Sequence, residues 1–502
     1  MNNTGHAKLA QDPGHPAHAR SAALAPRALV QALPPILSAG LLLCASMIGL
    51  AGLSYGFPYG VDIQTAPLAP YVLLALFAGG VWAWLGTYLP RSSRTATTLW
   101  VVIGLGLFMR AAMFFSIPVL EDDSYRYLWD GAVTANGLDP YAFAPAEVTS
   151  DPVLAVDMPQ QRGHELEQLK ELAEANPETH SRINFPYVST IYPPLAQAAF
   201  AAAHWIDPFG LTGWRAVLLL SDLATLFLLI RVLRAFKRPA IWVSLYWWNP
   251  VMLLQGYGAA HMDLLLLPFL LLALLMAKSR RIGFASLALA GGAAVKIWPI
   301  LLFPVLLRPV LRRPSKVVVY SGVFGIAVTV LLLPQVLHAL APEAGLNAYA
   351  SDWRTHAFAF AILEDLVFAA LEAPGQIARL AVAAIMIALT GYLALRYADD
   401  IDRLPALWAA IIAAMIFLSP TGYPWYLIWL APLLPFLPKL GLLALFALAP
   451  LYWLRFLLGD QALMYQWGIV PIAFGVPLAL IAASYLKRRP YDALSHHHPR
   501  FE

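Results

Sequence analysis

Long apolar stretches constrain this sequence more than any other feature. A helix of about 20 apolar residues crosses a hydrocarbon core about 30 Å thick, and the sequence offers many stretches near that length. Only 12% of the 502 residues are charged, whereas about 25% is usual for soluble proteins. We therefore predict an all-α polytopic membrane protein with about 14 transmembrane helices, and exclude a soluble enzyme. The stretches lie at 33–54, 67–89, 98–117, 213–231, 240–258, 261–277, 282–295, 297–309, 317–334, 379–396, 404–419, 423–437, 441–457 and 467–486.

Basic residues mark the direction of these spans, because Lys and Arg concentrate in cytoplasmic connections. They cluster at 91–94, 231–238, 278–281, 308–316, 396–403 and 487–489. All six clusters fall on the cytoplasmic side if fourteen spans cross and 191–206 does not. We therefore predict that 191–206, which begins Tyr192-Pro193-Pro194, is a re-entrant or interfacial helix.

This topology divides the chain into a membrane domain, 33–486, between two cytoplasmic tails, 1–32 and 487–502, the first of them disordered. Two long outer loops, 118–190 and 335–378, are expected to carry interfacial helices. The net charge of +4 does not indicate a nucleic-acid partner, since the basic residues mark topology, and membrane lipids are the expected surroundings. No glycine-rich phosphate loop is present, which disfavours a transporter driven directly by ATP.

The first outer loop is unusually acidic for such an apolar chain. Of the 29 acidic residues, 13 lie between 118 and 190, beside only four Lys or Arg. Three are consecutive: Glu121, Asp122 and Asp123. Adjacent carboxylates can accept a proton from an attacking hydroxyl or hold a divalent cation on a phosphate. The alternative is that Asp122 or Asp123 caps the following helix.

Helical spacing from 123 to 133 places Asp123, Tyr127 and Asp130 on one face. The remaining face would lie on the bilayer surface and carries Tyr125, Leu128, Trp129 and Ala132.

Three strings in this region carry a resemblance to a known family: DDSYRYLWDG at 122–131, GLDPY at 137–141 and IYPPL at 191–195. They resemble the first outer loop of bacterial polyprenyl-phosphate-mannose-dependent mannosyltransferases of the GT-C class. Later motifs resemble, in their order, the enzyme that adds the first mannose to glycosylphosphatidylinositol. These are Asn249-Pro250, His261-x-Asp263 and VKIWP at 295–299. The likeness covers about 99–307 and continues more loosely to 424–426.

The resemblance implies a GT-C-like bundle that takes a hexose, mannose above all, from a polyprenyl-phosphate-sugar donor. The acceptor would be a lipid or glycan on the outer, periplasmic face of a bacterial inner membrane. Related proteins also move glucose, arabinose or aminoarabinose. An aspartate of the first loop acts as general base in that family, and here it corresponds to Asp122 or Asp123. Many relatives have Asp-x-Asp instead of adjacent acids, so which one is the base stays open.

Cations near the outer face would receive the leaving phosphate of an inverting transfer. Arg126, Lys296 and Arg354 are the predicted phosphate holders. Lys296 is the strongest of them, because a cation between apolar stretches is costly unless it has a role. Its alternative is snorkelling to the headgroups.

Other predicted substrate-binding residues are polar or aromatic: Tyr125, Asp130, Tyr192, His261, Asp263, His356, Tyr423 and Trp425. His261 and Asp263 suit a sugar hydroxyl or a metal, but they suit a structural pair equally well. Tyr423 and Trp425 suit a wall that stacks on sugar or polyprenyl, or an interfacial aromatic belt. No metal-ligand set is assigned, and a divalent cation on the phosphate is left open.

The main alternative function is a transporter or flippase of a lipid-linked sugar. Such proteins hold ionisable groups near the bilayer midplane and often consist of two similar halves. Asp222 is the clearest mid-span charge, and the sequence shows no internal repeat. A third reading, a structural partner in an envelope assembly, leaves Asp122, Asp123 and Lys296 without a role.

Overall fold

A computed structural model describes residues 25–89, 96–149, 160–339, 353–396 and 400–486. Within these ranges all regular elements are helical, and the strand-like pairing is limited to one isolated parallel bridge between Thr355 and Thr421. The predicted all-α class is confirmed. The first helix begins at Ala25, inside the segment predicted as the N-terminal tail. The predicted C-terminal tail and residues 1–24 lie outside the described residues.

Eight helices in the described part of the chain are long and apolar enough to cross a membrane. They are Pro35–Ser54, Leu68–Tyr88, Leu211–Ala235, Pro314–His338, Pro374–Arg396, Ile401–Leu418, Leu440–Leu458 and Ala462–Leu486. A ninth arises if the pair Pro250–Gly258 and Met262–Lys278, bent by 111°, counts as one span. Shorter apolar helices occupy Thr98–Phe114, Ile282–Val295, Trp298–Val310 and Pro424–Phe436. The chain thus has the architecture of an integral membrane protein.

Two of the long helices expose much of their apolar surface. Val318 and Ile326 are 71% and 68% exposed on the helix Pro314–Ala339, and Leu380 and Leu395 are 72% and 73% exposed on the helix Pro374–Arg396. A water-soluble monomer rarely exposes a continuous apolar face of this kind. These faces therefore mark the lipid-contacting perimeter of the bundle.

The segment predicted as the first outer loop folds on a small core of its own. Its described helices are Asp123–Ala135, Pro145–Val148, Gln160–Ala175 and Pro177–Ser181. They enclose a cluster of buried apolar side chains: Trp129, Val133, Phe143, Val148, Leu166, Leu169, Ala173 and Ile183. The loop is therefore a packed cap that presents the start of the helix Asp123–Ala135 to the rest of the bundle.

The helix Asp123–Ala135 packs closely on the helix Pro194–Ile206. Gly131 makes this approach feasible, because a Cβ there would lie 2.5 Å from the carbonyl oxygen of Phe200. Leu128, Trp129 and Ala132 are buried in protein. The expectation that they lie on the bilayer surface is wrong, because the helix has packing partners on both faces.

The helix Pro194–Ile206 has 13 residues, which corresponds to a length of about 20 Å. That is too short for a hydrocarbon core of about 30 Å. It is also not among the helices long enough to span.

The break in the bent pair contains His261, and Asp263 follows it in the second half, Met262–Lys278. The carbonyl groups freed at the break are satisfied from the helix Leu211–Ala235. Arg215 donates from Nε to the Tyr257 carbonyl (2.7 Å) and from Nη2 to the Gly258 carbonyl (2.9 Å). The Trp214 indole donates to the Ala260 carbonyl (2.7 Å). These bonds hold the chain between the two half-helices rigidly inside the protein.

A second buried polar cluster lies deeper in the bundle. Arg110 Nε donates to Asp222 Oδ2 (2.6 Å), and both side chains are almost completely buried. Tyr257 donates to the same oxygen (2.7 Å), and Tyr246 donates to Asp222 Oδ1. The Arg110 guanidinium lies 3.2 Å from the ring centroid of Trp247. Asp222 is therefore fully partnered, as a charge buried at this depth must be.

Two ends of the bundle can be distinguished. Lys278 pairs with Asp402, and Arg308 donates to the Asp400 carbonyl at one end. From there the helix Leu267–Lys278 leads back to Asp263, and the helix Ile282–Val295 leads to Lys296. Lys278 and Arg308 therefore lie at one end of the described bundle, and Asp263 and Lys296 lie at the other.

Candidate functional site

A cavity of about 910 Å³ opens at the end of the bundle that carries the predicted site residues. Ligand sites of about 300–1,000 Å³ are typical of enzymes. Its walls come from 120–127, 184–193, 296–298, 353, 415–429 and 452–456. The cavity therefore unites the first outer loop with elements from the rest of the chain.

Asp122 and Asp123 both line this cavity, and one amide group bridges them. Asn184 Nδ2 donates to Oδ1 of Asp122 (2.9 Å) and to Oδ1 of Asp123 (2.6 Å). Asp122 occupies the N-cap position of the helix, yet its side chain makes no capping hydrogen bond. The carboxylates are therefore directed into the cavity, and helix capping does not account for them.

Asp123 is the carboxylate with the more elaborate surroundings. Its Oδ2 accepts a hydrogen bond from the Tyr127 hydroxyl (3.2 Å) and lies 3.6 Å from His261 Nδ1. Burial raises the pKa of Asp123 to about 6, although the Asn184 amide acts in the opposite direction. Burial also raises the pKa of Asp122. Asp123 is thus a carboxylate that can change its protonation state near neutral pH.

Glu121 is a third acid at the same place. Burial raises the pKa of Glu121 well above its ordinary value, and the charges of Asp123 and Asp122 raise it further. Its Oε2 lies 3.9 Å from His261 Nε2, and neither Glu121 Oε1 nor His261 Nε2 has a hydrogen-bond partner among the described residues. Glu121 therefore favours its uncharged form more strongly than an exposed glutamate does.

Lys296 lines the cavity as predicted, but it is already paired. Its Nζ lies 2.7 Å from Asp263 Oδ1, and the Trp429 indole donates to the same oxygen. The ammonium group also lies 5.0 Å from the Trp429 ring centroid and 5.1 Å from that of Tyr426. Of the alternatives for Asp263, the structural pair is the one observed. Snorkelling does not describe Lys296, since its head group is held inside the protein.

The rings of Tyr423, Trp425, Tyr426 and Trp429 form one wall of the cavity, and the buried His261 ring stacks on Trp425 outside the lining. The ring centroids of His261 and Trp425 lie 4.0 Å apart, those of Trp425 and Tyr423 4.1 Å, and those of Tyr426 and Trp429 4.3 Å. Trp425 and Tyr426 are buried, so these rings face the cavity and do not form an interfacial belt. Such a wall suits the apolar faces of a sugar or a prenyl chain.

Arg126 and Tyr192 also line the cavity, whereas Asp130 does not. Arg126 Nε donates to Asp130 Oδ1 (2.9 Å), and Gln197 donates to Asp130 Oδ2 (3.1 Å). Thr190 donates to that second oxygen as well. Asp130 is therefore a buried anchor between the two packed helices, and it orients Arg126.

Tyr125, Arg354 and His356 lie outside the cavity lining, as do His261 and Asp263. The Tyr125 hydroxyl accepts from Arg182 (3.1 Å). Arg354 pairs with Glu364 (2.6 Å) and with Asp365. His356 bonds to the Tyr465 hydroxyl (2.5 Å), and burial lowers the pKa of His356 to about 3. The structure does not bring the side chains of Tyr125, Arg354 and His356 to Asp123.

The sequence did not indicate Asn184 or Arg455, and Glu121 was noticed only as a neighbour of the two aspartates. Asn184 belongs to no motif, and 61 residues separate it from Asp123. Arg455 did carry a usable signal, because it lies in an apolar stretch, where a cation is rare and usually functional.

The acids of the cavity do not form a ligand set for a divalent cation. Within the described ranges no group of three or more His, Cys, Asp or Glu side chains is placed to hold a metal ion. Asp122 and Asp123 share an amide donor, and Glu121 favours its protonated form. This donor set does not fit a cation held by protein ligands alone.

Comparison with known proteins finds no match: no family model, no curated protein and no solved structure is similar to this chain. Its function must be inferred from the chemistry of the cavity.

Proposed function

We propose that this protein is an integral-membrane glycosyltransferase that moves a hexose from a polyprenyl-phosphate-sugar donor to a hydroxyl of a lipid or glycan acceptor. One observation carries the proposal. A single cavity combines a buried carboxylate, Asp123, with three cations, Arg126, Lys296 and Arg455, and an aromatic wall. Such a set of groups can deprotonate an acceptor hydroxyl and stabilise the negative charge of a departing phosphate. Mannose is the proposed sugar because of the resemblance of the loop strings.

Asp123 is the proposed general base. Tyr127 and Asn184 orient its two oxygens, and its pKa of about 6 is well matched to proton transfer near neutral pH. Asp122 shares the Asn184 amide but lacks the contacts to Tyr127 and His261. We assign it the role of keeping Asn184 in place.

The proposed reaction is a single displacement with inversion. The acceptor oxygen attacks the anomeric carbon, its proton passes to Asp123, and the bond from that carbon to the phosphate oxygen breaks. Both bonding electrons leave with the polyprenyl phosphate, whose added negative charge is received by the cations of the cavity. No covalent sugar–enzyme intermediate arises, so a second carboxylate is not needed as nucleophile.

The pH dependence of kcat/KM tests the base. Because Asp123 must be ionised to accept a proton, we expect kcat/KM to fall as pH drops through about 6 and to level off above 7. Asn184→Ala should move the acid limb to higher pH, since the amide stabilises the ionised carboxylates. Initial rates between pH 5 and 8.5 provide the measurement.

A rate that is flat from pH 5 to 8 would contradict this role. So would an Asn184→Ala variant whose acid limb moves to lower pH. Since Asp122 and Asp123 are coupled through Asn184, the measured value belongs to the pair.

The finer membrane arrangement is part of the proposal. Eight long helices, the two halves of the bent pair and four shorter apolar helices give fourteen crossings if all of them span. The gathering of Lys278 and Arg308 at one end supports a cytoplasmic position for that end. The cavity then faces the outer side, which is periplasmic if the membrane is a bacterial inner membrane.

Transport of a lipid-linked sugar is the competing function. It would assign a moving role to an intramembrane charge such as Asp222. Asp222 accepts hydrogen bonds from Arg110, Tyr246 and Tyr257, which supports a structural role instead. The carboxylates of the cavity have no use in a transporter that leaves the sugar on its carrier.

The decisive experiment combines purified protein, radiolabelled polyprenyl-phosphate-mannose and bacterial membrane extract. Transfer predicts that the label leaves its carrier and appears in a new lipid or glycan product. Label that stays on the carrier would contradict transfer, and movement of the intact donor across liposomes would favour transport. Repeating the reaction with donors that carry other hexoses tests the sugar.

A further inference from the structure

Three cationic side chains of the described residues line the cavity, and they differ in the groups with which they are already paired. Arg126 is paired with Asp130 (2.9 Å), and Lys296 is paired with Asp263 (2.7 Å). In both pairs the carboxylate is buried and at most 2% exposed. A phosphate bound by either cation would have to compete with this carboxylate.

Arg455 has neutral partners. Its Nη1 donates to the Tyr452 hydroxyl (2.9 Å) and to Thr355 Oγ1 (3.1 Å). Among the described residues no carboxylate oxygen lies within 4.0 Å of its guanidinium. Of the three cavity cations in the described part of the chain, Arg455 is therefore the one without an ion pair.

Glu121 lines the same cavity and is the acid that could neutralise the charge of Arg455. Burial raises the pKa of Glu121 well above its ordinary value, although the charge of Arg455 acts in the opposite direction. Within the described ranges Arg455 therefore presents to the cavity a guanidinium group that no carboxylate contacts. A guanidinium group suits this task, since its planar fork binds two phosphate oxygens at once and it stays charged at any physiological pH.

The position of Arg455 also fits a lipid-borne ligand. It lies near the end of the membrane-spanning helix Leu440–Leu458. Phe456 lines the cavity beside it, and Leu457 is 46% exposed on the outside of the helix. The wall at Arg455 is thus next to the lipid-facing surface, where a prenyl chain can remain in the bilayer.

We infer that Arg455 is the residue that binds the phosphate of the polyprenyl-phosphate carrier. The inference rests on the proposed function, since it names the phosphate subsite of that cavity. Lys296 and Arg126 then serve mainly to hold the walls, through Asp263 and Asp130. After transfer, the polyprenyl-phosphate product stays bound through its phosphate to Arg455. The same residue therefore determines how strongly this product inhibits the enzyme.

Binding of farnesyl phosphate, a short polyprenyl phosphate, tests the inference without any transfer. Full-length protein in detergent is titrated, and Arg455→Gln should weaken binding by about 10- to 100-fold, the usual cost of losing a charge-assisted contact. Arg455→Lys should fall between, because it keeps the charge and loses the fork. Arg403→Gln, at the opposite end of the bundle, is the matched control and should bind as the wild type does.

The variant Thr355→Val distinguishes phosphate binding by Arg455 from a purely structural role of Arg455. It removes a hydrogen bond of Arg455 but leaves the guanidinium, so farnesyl phosphate should bind within about threefold of wild type. If Thr355→Val weakens binding as much as Arg455→Gln does, Arg455 only holds the loop and the inference fails. Thermal unfolding of each variant confirms that the protein is folded.

Competition distinguishes the sources of phosphate. Phosphatidylglycerol and inorganic phosphate, each at the concentration of farnesyl phosphate, should not displace it; displacement by either would overturn the assignment to a polyprenyl carrier. Equal affinity of wild type and Arg455→Gln would overturn it as well. If binding depends on Arg455 but no sugar is transferred, the inference stands and the proposed function fails.

Discussion

Asp123→Asn is expected to lower the rate of sugar transfer by about 10²- to 10⁴-fold, the usual contribution of a general base. The amide keeps the size and planarity of the carboxylate, and its oxygen can still accept the hydrogen bond from Asn184. It cannot take a proton from the acceptor hydroxyl. The loss should therefore appear in kcat and kcat/KM together, measured with labelled donor at saturating acceptor.

The same variant should not be less stable than the wild type. Burial raises the pKa of Asp123 from 3.8 to about 6, so this group favours folding fully below 3.8 and the contribution is lost as pH rises through 6. At pH 8 the folded protein carries a charge that the unfolded chain would accommodate more easily. Asp123→Asn removes that charge, and its Tm at pH 8 should equal or exceed that of the wild type.

Asp122→Asn is the matched control, because it changes the adjacent carboxylate that shares the Asn184 amide. We expect less than about a tenfold loss of rate. If Asp122→Asn is inactive and Asp123→Asn is active, the base is Asp122. Full activity in both variants would exclude a first-loop aspartate as base, and a Tm that falls sharply in Asp123→Asn would mean that its lost activity reports folding.

Asp222→Leu should have the largest effect on stability, lowering the free energy of unfolding by about 3–5 kcal/mol. The substitution leaves Arg110 buried without its counter-charge, and the hydroxyls of Tyr246 and Tyr257 lose their acceptor. The double variant with Arg110→Leu should recover a large part of the loss, because removal of both charges leaves none unpaired. Unfolding in mixed micelles, compared among the three variants, measures both effects.

Asp402→Leu provides the comparison for that experiment. Its pair with Lys278 is exposed, with 66% of the Asp402 side chain accessible, so the expected change is at most about 1 kcal/mol. An Asp222→Asn protein that folds stably and yet has lost its activity would argue against a structural role. It would favour the transport function instead.

Hydropathy was sufficient to predict the helical class and the long apolar helices, because lipid demands such stretches wherever the chain crosses. The span predicted at 240–258 is an exception, since it is divided into the short segments Ala240–Val243, Ser244–Trp247 and Pro250–Gly258. The loop string and VKIWP led to Asp122, Asp123, Arg126 and Lys296, and all four line one cavity. These are the features that a local pattern can report.

The sequence pattern did not show which of the charged residues are paired in the folded protein. Asp130 and Asp263 are charged as site residues often are, but they pair with Arg126 and Lys296. Arg126 and Asp130 form an i,i+4 pair within one helix, whereas Asp263 and Lys296 meet only because distant segments pack together. The surface face predicted for Trp129 became a core face because the loop has a hydrophobic core of its own. Asn184 could not be identified from the sequence either. Its role depends on its position beside Asp122 and Asp123, and that position arises only when a later segment of the chain folds back onto them.

The cavity draws its walls from segments between residues 120 and 456. In biosynthesis, therefore, the carboxylates of Asp122 and Asp123 are made first, and the aromatic rings and Arg455 that enclose them are made hundreds of residues later. A ribosome-bound chain can have most of its helices inserted while this space is still open on one side to lipid. Insertion of the early helices thus precedes closure of the cavity. A defect in a late helix would leave a chain that is largely inserted but whose cavity lacks part of its wall.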